Sequence, residues 1–155
     1  MTRDEIQAYS LRITQGNKSN LVVVTYDIIL KYLEDAKSSY LAGNIEQFVS
    51  QIKKANEFLA ELMGALDLQY PVARNLLNIY EFVQKMFLKA AFQKNPDSLE
   101  GLEPILIDLR DAFAEVAKQD KSTAIAGNNG QVYAGLTYGK NSLNETYEQN
   151  PGFRA

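Results

Sequence analysis

Between positions 18 and 117 the apolar residues return every three or four places in four successive stretches, and a chain patterned in this way has few outlets other than packed helices. A strand would bury every second residue, a period these stretches lack. Val22, Tyr26, Ile29, Leu33, Ala36 and Tyr40 mark the first stretch, and Ile45, Phe48, Ile52, Ala55, Leu59, Leu62 and Leu66 mark the second. The third carries two interleaved stripes, Val72/Leu76/Ile79/Val83/Met86/Ala90 and Ala73/Leu77/Tyr80/Phe87/Ala91, which predicts a helix buried over a wide arc. Leu99, Leu102, Leu106, Leu109, Phe113 and Val116 mark the fourth. Helices are predicted over 18–42, 45–67, 72–94 and 97–117.

The punctuation agrees with this division. Asn17 is placed to cap the first helix, and Ala42-Gly43-Asn44 offers a glycine at the left-handed position that ends helices cheaply. Asn44 with Gln47 forms a capping-box-like pair, and Pro71 suits a first helical position. Asn95-Pro96-Asp97-Ser98 supplies a turn, after which Gly101 and Pro104 predict a late start or a bend in the fourth helix. Short connections make neighbours antiparallel, so the expected fold is all-α, an antiparallel four-helix bundle. Ile6, Tyr9, Ser10 and Ile13 predict a short N-terminal helix lying across it. Arg74, Lys85, Lys89 and Lys94 against Glu81 leave the third helix basic, while the fourth is acidic, which favours side-by-side docking of the two. The bundle with its N-terminal segment is assigned to 1–117. A Gly- and Asn-rich tail is assigned to 118–155, in which Val132, Tyr133, Leu136 and Tyr138 are expected to dock back onto the bundle.

The chain contains no Cys and no His among its 155 residues, which removes disulfides, Cys-ligated zinc, Ser-His-Asp triads and Glu-x-x-His di-iron chemistry. No enzymatic activity, metal or cofactor is therefore expected. Gly135-Leu136-Thr137-Tyr138-Gly139-Lys140-Asn141 lacks the spacing, the Ser or Thr and the preceding strand of a phosphate loop. Glu57 with Glu61, and Asp108 with Asp111 and Glu115, read as solvated helix faces. Lys85 and Lys89 have no aromatic interleaving for base stacking, and a net charge of −3 argues against nucleic acid and anionic membranes as partners. Met1-Thr2-Arg3-Asp4-Glu5 is acidic where a secretory peptide is basic, and no apolar run approaches the ~20 residues of a membrane span, so a cytoplasmic location without membrane insertion is expected.

What remains is an apolar surplus: Val23, Val24, Leu30, Phe58, Phe82, Leu88 and Phe92 exceed what one bundle-facing stripe absorbs. Two readings account for it. Either the N-terminal segment and the tail cover these residues, or they form a groove for an amphipathic partner helix.

Tyr26-Asp27 in the first helix, Glu61-Leu62-Met63 with Leu66-Asp67 closing the second, Leu76 with Tyr80 in the third and Leu109-Arg110-Asp111-Ala112-Phe113 in the fourth resemble the flagellin export chaperone family, FliS. The match extends over 1–117, and Tyr9 ahead of the bundle fits it too. Asn17-Lys18, Ile28 and Phe113 stand where that family carries Ser-Pro, Gly and Trp. The resemblance implies a cytoplasmic chaperone that binds the disordered C-terminal segment of flagellin, delays filament assembly and hands its client to the export-gate protein FlhA. The expected partner-binding residues are Tyr9, Val23, Tyr26, Leu30, Phe58, Leu62, Leu66 and Tyr80, in a monomer or weak homodimer. A structural bundle that closes a homodimer through its surplus apolar surface is the alternative.

Overall fold

The structure, a computed structural model, describes residues 1–119. The expected docking of Val132, Tyr133, Leu136 and Tyr138 lies outside the described residues. Five helices follow one another: α1 Arg3–Gln15, α2 Lys18–Leu41, α3 Ile45–Gly64, α4 Pro71–Gln93 and α5 Leu102–Gln119, with a 3-10 turn at Asp97–Leu99 between the last two. Among the described residues there is no strand, and no helix is long and apolar enough to cross a membrane.

The helix ends follow local chemistry. The Asn17 side chain accepts the Asn20 N–H while Asn20 returns a bond to the Asn17 backbone, closing a capping box at the start of α2. Gly43, at φ 78°, turns the chain out of α2, and Asn44 accepts the Gln47 N–H at 3.1 Å to start α3. The Asn44 amide itself bonds the Ser39 carbonyl, so the expected return bond from Gln47 is replaced by one across the turn. α3 stops at Gly64, short of the predicted 67, because Ala65 and Leu66 bond back into a tight last turn and an Asp67 side chain accepts the Gln69 N–H. Pro104 neither breaks nor bends α5. The helix starts late, at Leu102 after Gly101 at φ 81°, so Pro104 falls in the first turn, where its missing N–H has no partner to lose.

Cross-helix pairs fix the directions. Tyr40 packs on Phe48 and Tyr32 on Phe58, so α2 and α3 are antiparallel; Lys37 meets Glu103 and Asp27 meets Arg110, so α2 and α5 are antiparallel too. The four long helices bury one core, with Tyr26, Ile29 and Leu33 of α2, Phe48, Ile52, Leu59 and Leu62 of α3, Tyr80, Val83 and Phe87 of α4 and Leu102 and Leu106 of α5 at its centre. Each such side chain contributes roughly 1.5–3 kcal/mol on leaving water.

Two expectations are corrected. The close pairs are α2 with α3, α2 with α5, and α3 with α4, whereas α4 and α5 do not pack closely along their length. Exposed charges contribute too little to choose neighbours. The acids of α5 are used elsewhere: Glu103 meets Lys37, Asp111 meets Arg110 and Glu115 meets Lys118. Second, α1 does not lie across the bundle but runs antiparallel along α2, with Glu5 on Lys31 and Arg12 on Asp27. Gly16 permits this hairpin, since a Cβ there would stand 2.8 Å from the Arg12 carbonyl oxygen and 2.8 Å from the Asn20 Cβ.

Candidate functional site

The outer face of α2 carries two neighbouring features. On one side α1 covers Val24 and Ile28, which are only 2% and 5% exposed without belonging to the central core. On the other side α2 and α5 enclose a groove of about 440 Å³ lined by Leu30, Leu41 and Ile107 with Glu34, Lys37, Ser38, Glu103 and Arg110. Leu41, at the open end, is 86% exposed. Val23 stands two helical turns before Leu30, on the same face of α2.

Asp27 separates the two features and ties both to α2. One carboxylate oxygen holds Arg12 of α1 at 2.7 Å and the other holds Arg110 of α5 at 3.2 Å. Arg110 gives up some water by sitting there, yet Asp111 and Asp27 hold its guanidinium above its ordinary pKa. Arg12 also lies 5.7 Å from the Tyr9 ring centroid, and burial, then Asp27, raises the Tyr9 hydroxyl. Further along α1, hydrogen bonds from the Thr2 backbone and from Lys31 lower Glu5. Asp35, although partial burial pushes it up, ends below its ordinary value because Lys31 and the Met1 ammonium bond to it. No residue of α1 is fully buried, so ion pairs and half-buried contacts hold it in place.

The expected partner-binding residues divide three ways. Val23 and Leu30 share the face of α2 that borders the α5 groove, and Tyr9 lies half-buried on α1 beside it. Phe58 stacks on Tyr32 at 6.0 Å on the opposite flank of α2, and Leu66 is half-buried at the end of α3. Tyr26, Leu62 and Tyr80 are each 0% exposed and sit in the core, where their places on the apolar stripes put them. The Tyr26 and Tyr80 hydroxyls hydrogen-bond one another across the core, and Phe113 stacks on Tyr26 at 5.8 Å. Asp27 as a bridge between α1 and α5 had a signal in the sequence, the one charged residue between positions 19 and 30 with arginines at positions 12 and 110, but nothing in it joins the three.

A wider hollow of about 760 Å³ along α3 is a weaker candidate, since its apolar lining is Ile45 and Val49 and its Lys54 already pairs with Glu57. Among the described residues no group of three or more acids converges as a metal site would require. The arrangement offers binding surface: an apolar trough with charged rims beside a lightly held helix. The family model of flagellar protein FliS matches residues 4–120. No curated protein and no solved structure matches the chain.

Proposed function

The chain belongs to the FliS family of flagellar export chaperones, and we propose that it binds the C-terminal segment of flagellin in the cytoplasm and keeps that segment from assembling until export. A disordered client gains helix as it enters the α2–α5 groove, setting its apolar stripe on Val23, Leu30, Leu41 and Ile107 and its charges against Lys37, Glu103 and Arg110. Tyr9 and the rest of α1 form the cover at the edge of this surface. Phe58 and Leu66, away from this groove on the α3 side of the bundle, offer a second contact to a long client, while Tyr26, Leu62 and Tyr80 set the helix packing that supports both surfaces. The loaded chaperone, as a monomer or weak homodimer, passes its client to the export-gate protein FlhA.

The observation that supports this reading is the exposed apolar floor of the groove beside a helix with no fully buried residue. Ordering a disordered client costs free energy, so a long contact is needed to reach useful affinity. Calorimetric titration of the full chain with a flagellin C-terminal peptide is expected to give a negative heat-capacity change with a gain of helix by circular dichroism. Leu30→Asp should weaken binding at least ~10-fold with the helical signal of the chaperone retained, because Leu30 is only half-buried. Absence of binding at tens of micromolar peptide, roughly −6 to −7 kcal/mol, overturns the proposal.

A further inference from the structure

The seam between α4 and α5 is the one place in the bundle where consecutive long helices do not close on each other. On α4, Val72, Ile79, Phe82 and Met86 recur at steps of seven, three and four and so occupy one flank. That flank faces the link to α5, because the Ser98 hydroxyl of the link donates to the Met86 carbonyl at 2.8 Å. Val72 is 51% and Phe82 50% exposed. On α5, Glu103, Ile107 and Arg110 face α2, which leaves Ile105, Leu109, Ala112 and Val116 on the flank away from α2. Ile79, Met86 and Leu109 pack partly against the core, which leaves Val72 and Phe82 as the half-exposed apolar side chains of the seam.

We propose that residues 131–138 of the same chain lie in this seam and cover it. The length and the exit point of the chain both fit. α5 is antiparallel to α2, so Gln119 ends at the end of the bundle where α2 and α4 begin, the end that holds Val72. The eleven residues 120–130 can bridge up to roughly 36–40 Å, about the whole length of α4. Residues 131–138, extended, measure roughly 26–29 Å, enough to cover the ~21 Å from Val72 to Met86. Their sequence alternates as an extended segment would: Val132, Ala134, Leu136 and Tyr138 on one side, with Gln131, Tyr133, Gly135 and Thr137 on the other. Positions 120–155 hold Asp120, Glu145 and Glu148 against Lys121, Lys140 and Arg154, so no net charge opposes docking beside the acids of α5. A tether of this length keeps the segment at an effective concentration of order millimolar, sufficient for weak apolar contacts to keep the seam closed.

The full chain, without any client, tests this by amide hydrogen exchange. Amides of 131–138 are expected to exchange at least ~10-fold more slowly than free peptide, equally at low and high protein concentration. Val72→Asp with Phe82→Asp should return them to the free rate while the helical signal stays. Should that variant lose helix, Leu136→Ser with Tyr138→Ser, changes that leave α1 to α5 unaltered in sequence, should give the same loss of protection and increased binding of a hydrophobic dye. Free-peptide exchange in the unaltered chain, or protection that survives the variant that keeps its helices, overturns the proposal. Protection that rises with protein concentration together with a sedimenting dimer also overturns it, and assigns the seam to a second copy. None of these readings involves flagellin, so they stand or fall separately from the proposed function.

Discussion

Tyr26 and Tyr80 are both 0% exposed and share a hydrogen bond between hydroxyls that come from α2 and α4, two helices that are not sequence neighbours. A buried hydroxyl that loses a partner retains its desolvation penalty, so Tyr26→Phe or Tyr80→Phe should each destabilise the protein by about 1–3 kcal/mol. Removing both hydroxyls should cost less than the two single changes together, since both single changes delete the same shared bond. Chemical denaturation of the three variants measures this coupling, and strict additivity would show that the pair does not act as a unit. Phe113, where the family carries Trp, completes the stack on Tyr26 and is legible as core from its spacing alone. Ile28 is buried at 5% exposure on the face of α2 that α1 runs along.

At the scale of a single element, α1 is held unlike the other helices. Its last turn is tied by Arg12 to Asp27 and its first by Glu5 to Lys31, and no apolar side chain on it is fully buried. Glu5 and Asp35 are lowered from ordinary values of 4.5 and 3.8, so their contribution to docking is present above those values and fades as pH falls through the lower folded ones. Lys31 is raised from 10.5, so its contribution is present below that value and is lost only as pH rises beyond it. Docking of α1 should therefore persist between roughly pH 5 and 10 and loosen under acid before the bundle unfolds. Backbone chemical shifts of α1 followed from pH 7 to pH 3 check this; α1 resonances that move only together with those of α3 would refute an independently held helix. Added salt at neutral pH should act weakly in the same direction, because these pairs are only partly exposed.

For the whole molecule, a single apolar cluster drawing on α2, α3, α4 and α5 implies that these four helices unfold as one unit. Thermal unfolding followed by circular dichroism and by calorimetry should give one transition with matching enthalpies. The open α4–α5 seam makes this a sharp test, since two separated transitions would mean that α5 with α2 and α4 with α3 form units of their own.

The sequence by itself determined the helices, their order and the core stripes, because a period of three and four residues, caps such as Asn17 and Asn44 and the turn at Gly43 are local properties of neighbouring residues. It also carried the family, through short motifs on each helix that the match over residues 4–120 supports. It did not say which residues a partner can reach, since a buried stripe and a binding stripe share the same period, and Tyr26, Leu62 and Tyr80 are each 0% exposed. Only the tertiary structure decided that α5 docks on α2, that α4 and α5 leave a seam and that α1 runs along α2. These choices depend on which apolar faces bury most completely against one another, a comparison among residues far apart in the chain, and charge pairs near the surface are too weak to make it.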